Sequence, residues 1–467
     1  MLSRPDLLSI TLANREEFEM LVTDAGAHTN IDKSAASILR AADFAVRTGT
    51  GAYRSQYLEF LLLNMADQLA EKKILSRRGV LHIMTQAYEH GGHTRVVERW
   101  INHDSHHCRH SVFLTGQGEL PIPQKIPTLA KASGGQVFRP PHYASIISTA
   151  LTLQKVAQEY DFVVLHTHMQ DPTATLAVGA KNFAASVIYY NHADHKFSLG
   201  MGAASVVAEL RSWGKNISSL KRGITESVVL GIPLQKDIPG HYRKNFSTRE
   251  KLNIPSASKV LFSASSPHKL IPFQEFNFFH AVVQILLQKS TVHLLLVGVD
   301  KYLLQKNISN IEGGEAVSAR IHTIHTVSEG DFIDYLMTAD LVIDSFPENG
   351  GTMLMDSVSR GLPVVSLMTP VGQMDYLLNT REYTPNVQAF IQQALYLLDD
   401  EQLSRHVWQE QHARLMDESA PANFSKRLHS LYAQAISSEP IGLGGQIQDV
   451  GLADIDLLHT ARSLGGC

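Results

Sequence analysis

Cysteine is scarce in this chain of 467 residues, and the chain has neither long apolar runs nor an excess of positive charge. Two cysteines, Cys108 and Cys467, cannot build a disulfide framework, so we expect a reducing, cytoplasmic location. No apolar run reaches the roughly 18 residues of a spanning helix, and no secretory signal pattern opens the chain. A net charge of −4 without a Lys/Arg stripe argues against a nucleic-acid partner.

The length predicts two or three domains, and a hydrophobic content of 44% is typical of globular proteins. Residues 1–75 predict an N-terminal α-helical cap. Asn30 is a suitable N-cap for a helix that ends at Arg47, and apolar residues recur at helical spacing over 57–69. We expect this cap to cover one face of the next domain.

After the cap, short apolar strands alternate with helices, which predicts α/β units and parallel sheets. The strands fall into two series, within residues 76–234 and 258–385, with a linker containing proline and glycine over 235–257. Residues 386–436 predict two or three helices, and 437–467 predict an irregular tail. Two doubly wound halves imply a cleft between them, with ligands at the carboxyl ends of strands.

The most informative segment is 344–367. It predicts a turn rich in glycine between a buried strand and a helix that begins near Gly351, followed by another buried strand. Such a turn offers free backbone N–H groups and the positive end of the helix dipole to an anion. With Glu348 and Asp356 flanking it, the turn suits a nucleotide-sugar, although an ordinary strand–turn–helix has the same pattern. The turn residues expected to contact the donor are Asn349, Gly350, Gly351 and Thr352.

The run from Glu348 to Asp356, followed by Gly361-Leu-Pro-Val-Val365, resembles the donor-site signature of GT-B glycosyltransferases. Retaining members have Glu, seven residues and a second Glu, where this chain has Asp356. The O-GlcNAc transferase family and the bacterial cytoplasmic protein glycosyltransferases have a related pattern, Asp-x-x-Pro-x-x-x-Gly-x-Thr-x-x-x-Asp. The residues near that pattern are Asp344, Pro347, Gly350, Thr352 and Asp356.

The resemblance implies two Rossmann-like doubly wound domains facing a cleft, the GT-B fold. It also implies a glycosyltransferase that moves a sugar from a UDP-sugar such as UDP-GlcNAc or UDP-Glc to a protein, glycan or small molecule. GT-B enzymes as a class work without a bound metal, so we expect no cofactor. Glu348 favours a retaining reaction, whereas Asp344, Thr352 and Asp356 favour an inverting one.

Lys269 follows the first strand of the second series, where a lysine can neutralise a diphosphate held at the Gly350 turn. In the resembling families a cation here holds the diphosphate and helps the nucleotide leave. A solvated loop lysine is the alternative. Ser265 shares this loop, Gly298 ends the next strand beside the base or ribose, and His325 lies in the loop that receives the base in this fold.

His93 follows the Gly91-Gly92 turn, which comes after the first strand of the first series. A histidine there is a candidate general base for the acceptor, because its intrinsic pKa lies near neutrality. The alternative is a histidine that only helps to close a loop.

Further polar residues follow two other strands of the first series and are expected at the same cleft. We expect them to contact sugar or acceptor rather than a metal; they are His168, Asn191, His192, Asp194 and His195. A second histidine-rich segment surrounds Cys108, but its spacing matches no closed zinc ligand set. Its histidines are His103, His106, His107 and His110.

Two other functions remain as alternatives. A sugar-nucleotide epimerase of the same fold would need paired carboxylates in the first half, which is instead rich in histidine. A pseudo-transferase would bind the nucleotide-sugar without turnover, and the presence of Lys269 and Gly350-Gly351 argues against it. The sequence leaves open whether the chain self-associates.

Overall fold

The computed structural model describes residues 4–71, 79–89, 91–235, 244–325, 327–372, 374–377, 383–448 and 454–462. Two compact units are formed. The N-terminal unit contains the described residues before 236 together with Pro421–Arg462, and the C-terminal unit contains the described residues from 244 to 420. Parts of the predicted cap, linker and tail lie outside the described residues, namely 1–3, 72–75, 236–243, 449–453 and 463–467.

The N-terminal unit contains a seven-stranded sheet, formed by β1 Val80–Met84, β2 His110–Leu114, β3 Val137–Phe138, β4 Phe162–His166, β5 Ser186–Asn191, β6 Val206–Glu209 and β7 Ser227–Val229. The strands are parallel and lie in the order β3-β2-β1-β4-β5-β6-β7. From β1 the chain adds strands toward one edge of the sheet, and from β4 it adds them toward the other edge. The loops that follow β1 and β4 therefore diverge, and this position is the switch point of the sheet.

The helices of this part of the chain are α1 Arg4–Ala27, α2 Ile31–Arg47, α3 Gln56–Leu69, α4 Gly92–Asp104, α5 Lys125–Ala132, α6 Ile146–Ala157, α7 Thr173–Val178 and α8 Ser212–Arg222. The predicted cap of α2 is confirmed, because the Asn30 side chain accepts a hydrogen bond from Lys33 N–H at 3.0 Å. Buried residues of α2 and α3, including Ile38 and Leu58, share one apolar core with the strands.

The C-terminal unit contains a six-stranded sheet, formed by β8 Lys259–Ala264, β9 Val292–Val297, β10 Ile321–Ile324, β11 Leu341–Ile343, β12 Val364–Leu367 and β13 Tyr383–Thr384. The strands are parallel and lie in the order β10-β9-β8-β11-β12-β13. The helices are α9 Phe246–Lys251, α10 Phe278–Gln288, α11 Lys301–Ile308, α12 Gly314–Val317, α13 Glu329–Leu336, α14 Thr352–Val358, α15 Val387–Asp399 and α16 Glu401–Ser419.

The chain ends in the N-terminal unit with α17 Pro421–Ser437 and α18 Ile455–Arg462. Tyr432 on α17 contacts this unit directly, since its hydroxyl accepts a hydrogen bond from the Trp100 indole at 3.0 Å. The predicted fold class, two parallel α/β sheets with an N-terminal helical cap, is confirmed.

The chain alone also predicts a strand at 204–208 and one at 319–322, and both bounds were wrong by one or two residues. The first strand is Val206–Glu209, and the second is Ile321–Ile324 because a 3-10 turn occupies Ser318–Arg320. The two-residue strands β3 and β13 were not predicted, since a segment this short has no measurable periodicity.

Candidate functional site

The switch point of the C-terminal sheet lies between β8 and β11, the first and fourth of its strands in chain order, because strands are added toward one edge after β8 and toward the other edge from β11. Lys269 lies in the loop after β8, and the turn from Asp344 to Gly351 follows β11. In open α/β sheets a crevice forms at such a switch point, outside the carboxyl ends of the strands. The two segments predicted to hold a donor diphosphate therefore come from the two strands that border the crevice.

Lys269 and Glu348 form an ion pair at this switch point. Lys269 lies in a 3-10 turn, Pro267–Leu270, and its Nζ is 2.7 Å from Glu348 Oε1 and 3.3 Å from Asn349 O. Both side chains are partly exposed, at 25% for the lysine and 14% for the glutamate. Lys269 thus reaches the turn after β11, as the sequence predicts, and it carries a carboxylate as its partner.

Asp344, directly after β11, holds the turn through its carboxylate. Its carboxylate is fully buried and accepts hydrogen bonds from Ser366 Oγ at 2.6 Å, Gly350 N–H at 2.8 Å and Asn349 Nδ2 at 2.9 Å. Burial raises the pKa of Asp344 to about 6, against the opposing effect of these hydrogen bonds and of Lys269. The carboxylate therefore fixes the backbone of the turn.

This arrangement corrects one expectation about the backbone amides. The N–H of Gly350 donates to Asp344 and is not available to a diphosphate. The first i→i−4 hydrogen bond of α14 runs from Met355 N–H to Gly351 O, so the four amides from 351 to 354 have no such acceptor within the helix. Of these four, the amides of Gly351 and Thr352 come directly after the turn.

The side chains of Asn349 and Asp356, which were expected at the donor, both have partners within the protein. Asn349 donates to Asp344, Ser366 and Leu367 and accepts from Thr369 Oγ1 at 2.7 Å. Asp356 is buried on α14, and its Oδ1 lies 3.6 Å from Arg360 Nη1. Asn349 thus holds the turn in shape, whereas the Asp356 side chain pairs with a residue of its own helix.

Ser265 and Gly298 are brought together where β8 and β9 end. Gly298 has a φ of +90°, and a Cβ at this position would lie 2.3 Å from Ser265 O. Only glycine allows this close approach of two strand ends. His325 follows the next strand, β10, and is exposed. Ser265, Gly298 and His325 therefore lie along the same carboxyl edge of the sheet.

In the N-terminal unit, the histidines after β1 and β4 meet at the corresponding switch point. Gly91 and Gly92 open α4 and place His93 in its first turn. The His93 ring centroid lies 6.3 Å from that of His168 and 4.1 Å from that of His192. Burial, with a smaller effect of His168, lowers the pKa of His93 to about 3. His93 is therefore neutral near pH 7, as a proton acceptor must be.

His192 joins this group from the end of β5. Its Nε2 lies 2.9 Å from His166 Nδ1, and burial together with the neighbouring histidines holds its pKa well below the usual value. A closely packed pair of rings, His93 and His192, thus forms at the carboxyl end of the sheet.

The other predicted residues of this loop are engaged within the protein. The Asp194 carboxylate is buried and binds Arg211 through Nε at 2.6 Å and Nη2 at 2.8 Å, and His195 Nδ1 lies 3.4 Å from it. Asn191 is buried and donates to Glu209 Oε2 at 2.9 Å. Burial raises the pKa of Glu209 to about 7. These contacts shape the loop that carries His192.

The histidine-rich segment around Cys108 is largely accounted for by internal contacts. His103 Nε2 lies 2.7 Å from Leu234 O, and the His107 ring packs on His429. Among the described residues, only Asp104, Cys108 and His110 place three ligand-type atoms within 4.8 Å of one another. Hydrogen bonds link these three side chains to one another.

Two groups of residues were missed by the sequence analysis. Thr85 and Thr115 both donate to Asp171 Oδ2, at 2.7 and 2.6 Å, and so tie three loop segments together at the switch point. His82 lies in the middle of β1 between apolar neighbours. A histidine at the centre of a buried strand needs a polar partner, and this requirement was the available signal.

The structure is similar to several solved glycosyltransferases. An O-GlcNAc transferase mutant from Thermobaculum terrenum aligns with a TM-score of 0.56 and 14% identity, over 91% of this chain and 84% of that chain. Anabaena Alr3699/HepE in complex with UDP-glucose aligns with a TM-score of 0.57 and 16% identity, over 76% and 99%. A glycosyltransferase from Rickettsia africae aligns with a TM-score of 0.59 and 14% identity, over 77% and 99%.

No protein-family model matches the chain, and no curated protein sequence matches it. The structural likeness, at these identities, establishes the fold, and the predicted GT-B fold is confirmed. In the part of the chain that the structure describes, no helix combines the length and apolar character needed to cross a membrane.

Proposed function

We propose that this protein is a glycosyltransferase that moves a sugar from a UDP-sugar, such as UDP-GlcNAc or UDP-Glc, to a protein, glycan or small-molecule acceptor. One observation carries the proposal. Lys269 forms an ion pair with Glu348 at the switch point of the C-terminal sheet, in a chain whose fold is similar to that of solved glycosyltransferases. The neighbour from Anabaena was solved with UDP-glucose, which supports a UDP-sugar as donor.

The donor would bind along the carboxyl edge of the C-terminal sheet. Lys269 would exchange its contact with Glu348 for one with the diphosphate, supported by the amides of Gly351 and Thr352. Ser265 and Gly298 would border the ribose, and the loop of His325 would receive the base. Asn349 would act by holding the turn, and Asp356 would act through its ion pair with Arg360 on α14.

The chemistry is a displacement at the anomeric carbon. The acceptor oxygen forms the new bond, the bond to the diphosphate breaks, and its electron pair leaves with UDP. Lys269 stabilises the charge that develops on the leaving group. The proton of the acceptor hydroxyl passes to the pair His93 and His192, both neutral near pH 7.

We favour inversion over retention because the N-terminal unit offers neutral histidines as bases. Proton NMR of the first-formed product would decide, since the coupling constant at the anomeric carbon distinguishes the two outcomes. A product with the donor's own anomeric configuration would reassign Glu348 to the sugar.

The alternatives find less support. An epimerase would need free carboxylates beside the histidines, and Asp194 and Asp171 are instead occupied by Arg211 and by two threonines. The reaction is proposed to need no metal or other cofactor, and the chain's two cysteines keep the cytoplasm as its proposed location.

The experiment is a thermal-shift panel of nucleotide-sugars with and without EDTA, followed by a donor hydrolysis assay with each nucleotide-sugar that stabilises the protein. We expect a UDP-sugar to raise Tm in both conditions and to be hydrolysed slowly without acceptor. Stabilisation without any hydrolysis or transfer would favour the pseudo-transferase, and no stabilisation by any nucleotide-sugar would overturn the proposal.

A further inference from the structure

Four histidines and one aspartate form a continuous file of hydrogen bonds across the N-terminal sheet. His192 Nε2 lies 2.9 Å from His166 Nδ1, His166 Nε2 lies 3.1 Å from His82 Nδ1, and His82 Nε2 lies 3.0 Å from His110 Nδ1. The file ends at Asp104, whose Oδ2 lies 3.3 Å from His110 Nε2.

The strand register explains why these side chains meet. His82 on β1 lies opposite Val112 on β2 and Val164 on β4. His110 lies two positions before Val112 on β2, and His166 lies two positions after Val164 on β4. The side chains of His82, His110 and His166 therefore share one face of the sheet. The file therefore runs diagonally, from the amino end of β2 to the carboxyl end of β4, where His192 stands.

The interior of the file is closed to water. His82, His110, His166 and Asp104 are each at most 2% exposed. The Trp100 ring packs edge-on against His82 and His166, with centroids 5.5 and 5.7 Å apart. A buried imidazole must be satisfied by the protein, and here each ring is satisfied by the next.

Asp104, the anionic end of the file, determines which nitrogen of each ring donates and which accepts. Every ring uses Nε2 toward Asp104 and Nδ1 toward His192. A neutral imidazole carries one N–H, and an ionised carboxylate only accepts. A neutral His110 therefore donates from Nε2 and accepts at Nδ1, and the same assignment passes ring by ring to His192. His192 is left with a proton on Nε2 and a lone pair on Nδ1.

Two further observations agree with this assignment. Asp104 Oδ2 also accepts from the Tyr432 hydroxyl at 2.9 Å and from Cys108 Sγ at 3.2 Å, as an anion would. Although burial raises it, these hydrogen bonds and the one from His110 hold the pKa of Asp104 below its usual value. Burial lowers the pKa of His166 to about 3 and that of His82 well below its usual value, so both rings are neutral.

We infer that this file is a directed proton relay in which His192 Nδ1 is the atom that accepts the acceptor's proton and Asp104 is the positioning residue that keeps it unprotonated beforehand. The catalytic part of this inference rests on the proposed function. The assignment of the His192 tautomer does not, and it is measured separately.

The proton balance of the relay is simple. When the acceptor O–H bond breaks, an N–H bond forms at His192 Nδ1, and the Nε2 proton of His192 moves to His166 Nδ1. His166 and His82 each pass their Nε2 proton on in the same way. The last transfer leaves His110 protonated on both nitrogens, and this charge lies beside the Asp104 carboxylate. The protons return when the product has left.

The relay moves the positive charge from His192 to His110. Among the described residues, the groups packed against His192 are His93 from α4, His166 at the end of β4, His168 after β4 and Tyr190 on β5, and none of these is an anion. An imidazolium at His192 would lie among these neutral groups, whereas His110 lies beside the Asp104 carboxylate.

The direct test is long-range ¹H–¹⁵N NMR of protein labelled with ¹⁵N-histidine, with His192 assigned by its loss in His192→Gln. We expect His192 and His166 to carry their protons on Nε2 near pH 7. A proton on His192 Nδ1 in the native protein would overturn the relay, whatever the enzyme's activity.

Asp104→Asn tests the carboxylate with an isosteric change. An amide both donates and accepts, so the ring tautomers should become mixed or reversed, and kcat for transfer should fall at least about tenfold with UDP affinity unchanged. Tyr432→Phe is the matched control, because it removes another hydrogen bond to Asp104 from a hydroxyl whose other partner is Trp100 and not a histidine of the file. Unchanged tautomers in Asp104→Asn would overturn the inference.

The two proposals fail in different ways. If no donor is ever transferred but the tautomers are as assigned, the proposed function fails and the directed file stands. If transfer occurs and Asp104→Asn has the kcat of the native enzyme, the relay's catalytic role is overturned and the proposed function stands.

Discussion

Lys269 Nζ lies 2.7 Å from Glu348 Oε1, so the cation proposed for the donor diphosphate is held in place by a carboxylate. The two residues follow β8 and β11, the strands at which the C-terminal sheet reverses direction. An arriving diphosphate competes with Glu348 for the same ammonium group.

The competition predicts that Glu348→Gln binds inorganic pyrophosphate more tightly than the native protein. A partly exposed ion pair contributes ~0.2–1 kcal/mol, so the gain should be up to about fivefold. Pyrophosphate is the appropriate probe, because it lacks the ribose hydroxyls that Glu348 would otherwise contact. Isothermal titration calorimetry gives the affinity, and weaker binding by the variant would show that Glu348 supports the anion instead.

Gly298→Ala should destabilise the protein by more than a glycine substitution at a position with open space. At Gly298 an added Cβ meets Ser265 O at 2.3 Å, whereas at Gly118, with a φ of +57°, nothing lies within 4 Å. Both variants incur the cost of a positive φ, roughly 1–2 kcal/mol, and only Gly298→Ala adds a backbone clash. Urea unfolding measures the difference, and equal losses would contradict the close approach of the two strand ends.

His93→Ala should lower kcat by on the order of a hundredfold while UDP affinity stays nearly constant, because the variant removes one ring of the acceptor-side pair. His106→Ala, an exposed histidine of the same unit, is the matched control. Loss of UDP binding with normal turnover at saturation would make His93 a donor-positioning residue.

The pH profile adds a second measurement of the same pair. An ordinary histidine base gives a rate that falls on the acid side with an apparent pKa of about 6–7. Burial lowers the pKa of His93 to about 3, so the acid limb should lie well below pH 6. A fall centred near pH 6.5 would show that the pair is more open to water than the structure indicates.

Folding stability should decrease as the pH falls from 7 to 5. Buried and partly buried histidines with lowered pKa values bind fewer protons folded than unfolded, so each contributes stability that is complete above an unfolded pKa near 6.5 and is lost below it. The described residues include seven of these: His82, His93, His166, His168, His192, His293 and His322.

Three buried carboxyls with raised pKa values act in the opposite direction, namely Glu59, Glu209 and Asp344. The histidines outnumber them, so the net slope is positive with pH, at about 1.4 kcal/mol per pH unit for each excess proton bound by the unfolded chain. Urea unfolding at several pH values measures it. Stability that is flat or rises toward pH 5 would contradict neutral, buried histidines.

Much of the fold was accessible from the sequence because its signals are local. Apolar strands alternating with helices, the Asn30 cap and the turn rich in glycine after β11 each depend on neighbouring residues. The proximity of Lys269 to that turn also followed, since each lies directly after a strand of one parallel sheet.

The rest depends on strand order and register, which the sequence does not display. The contact of His82 with His110 and His166 exists only because β2, β1 and β4 are neighbours in that order. The competition of Asp344 for the amide of Gly350 is likewise a matter of geometry within a buried turn.

The most direct measurement of the central claim is the affinity for UDP of the Lys269→Ala protein. A charge-assisted contact contributes ~1.5–3 kcal/mol, so binding should weaken roughly ten- to a hundredfold by calorimetry, with uridine affinity unchanged. Lys301→Ala removes an exposed lysine of the same unit and should bind UDP as the native protein does. A folded Lys269→Ala variant with native UDP affinity would contradict the assignment of this switch point as the donor site.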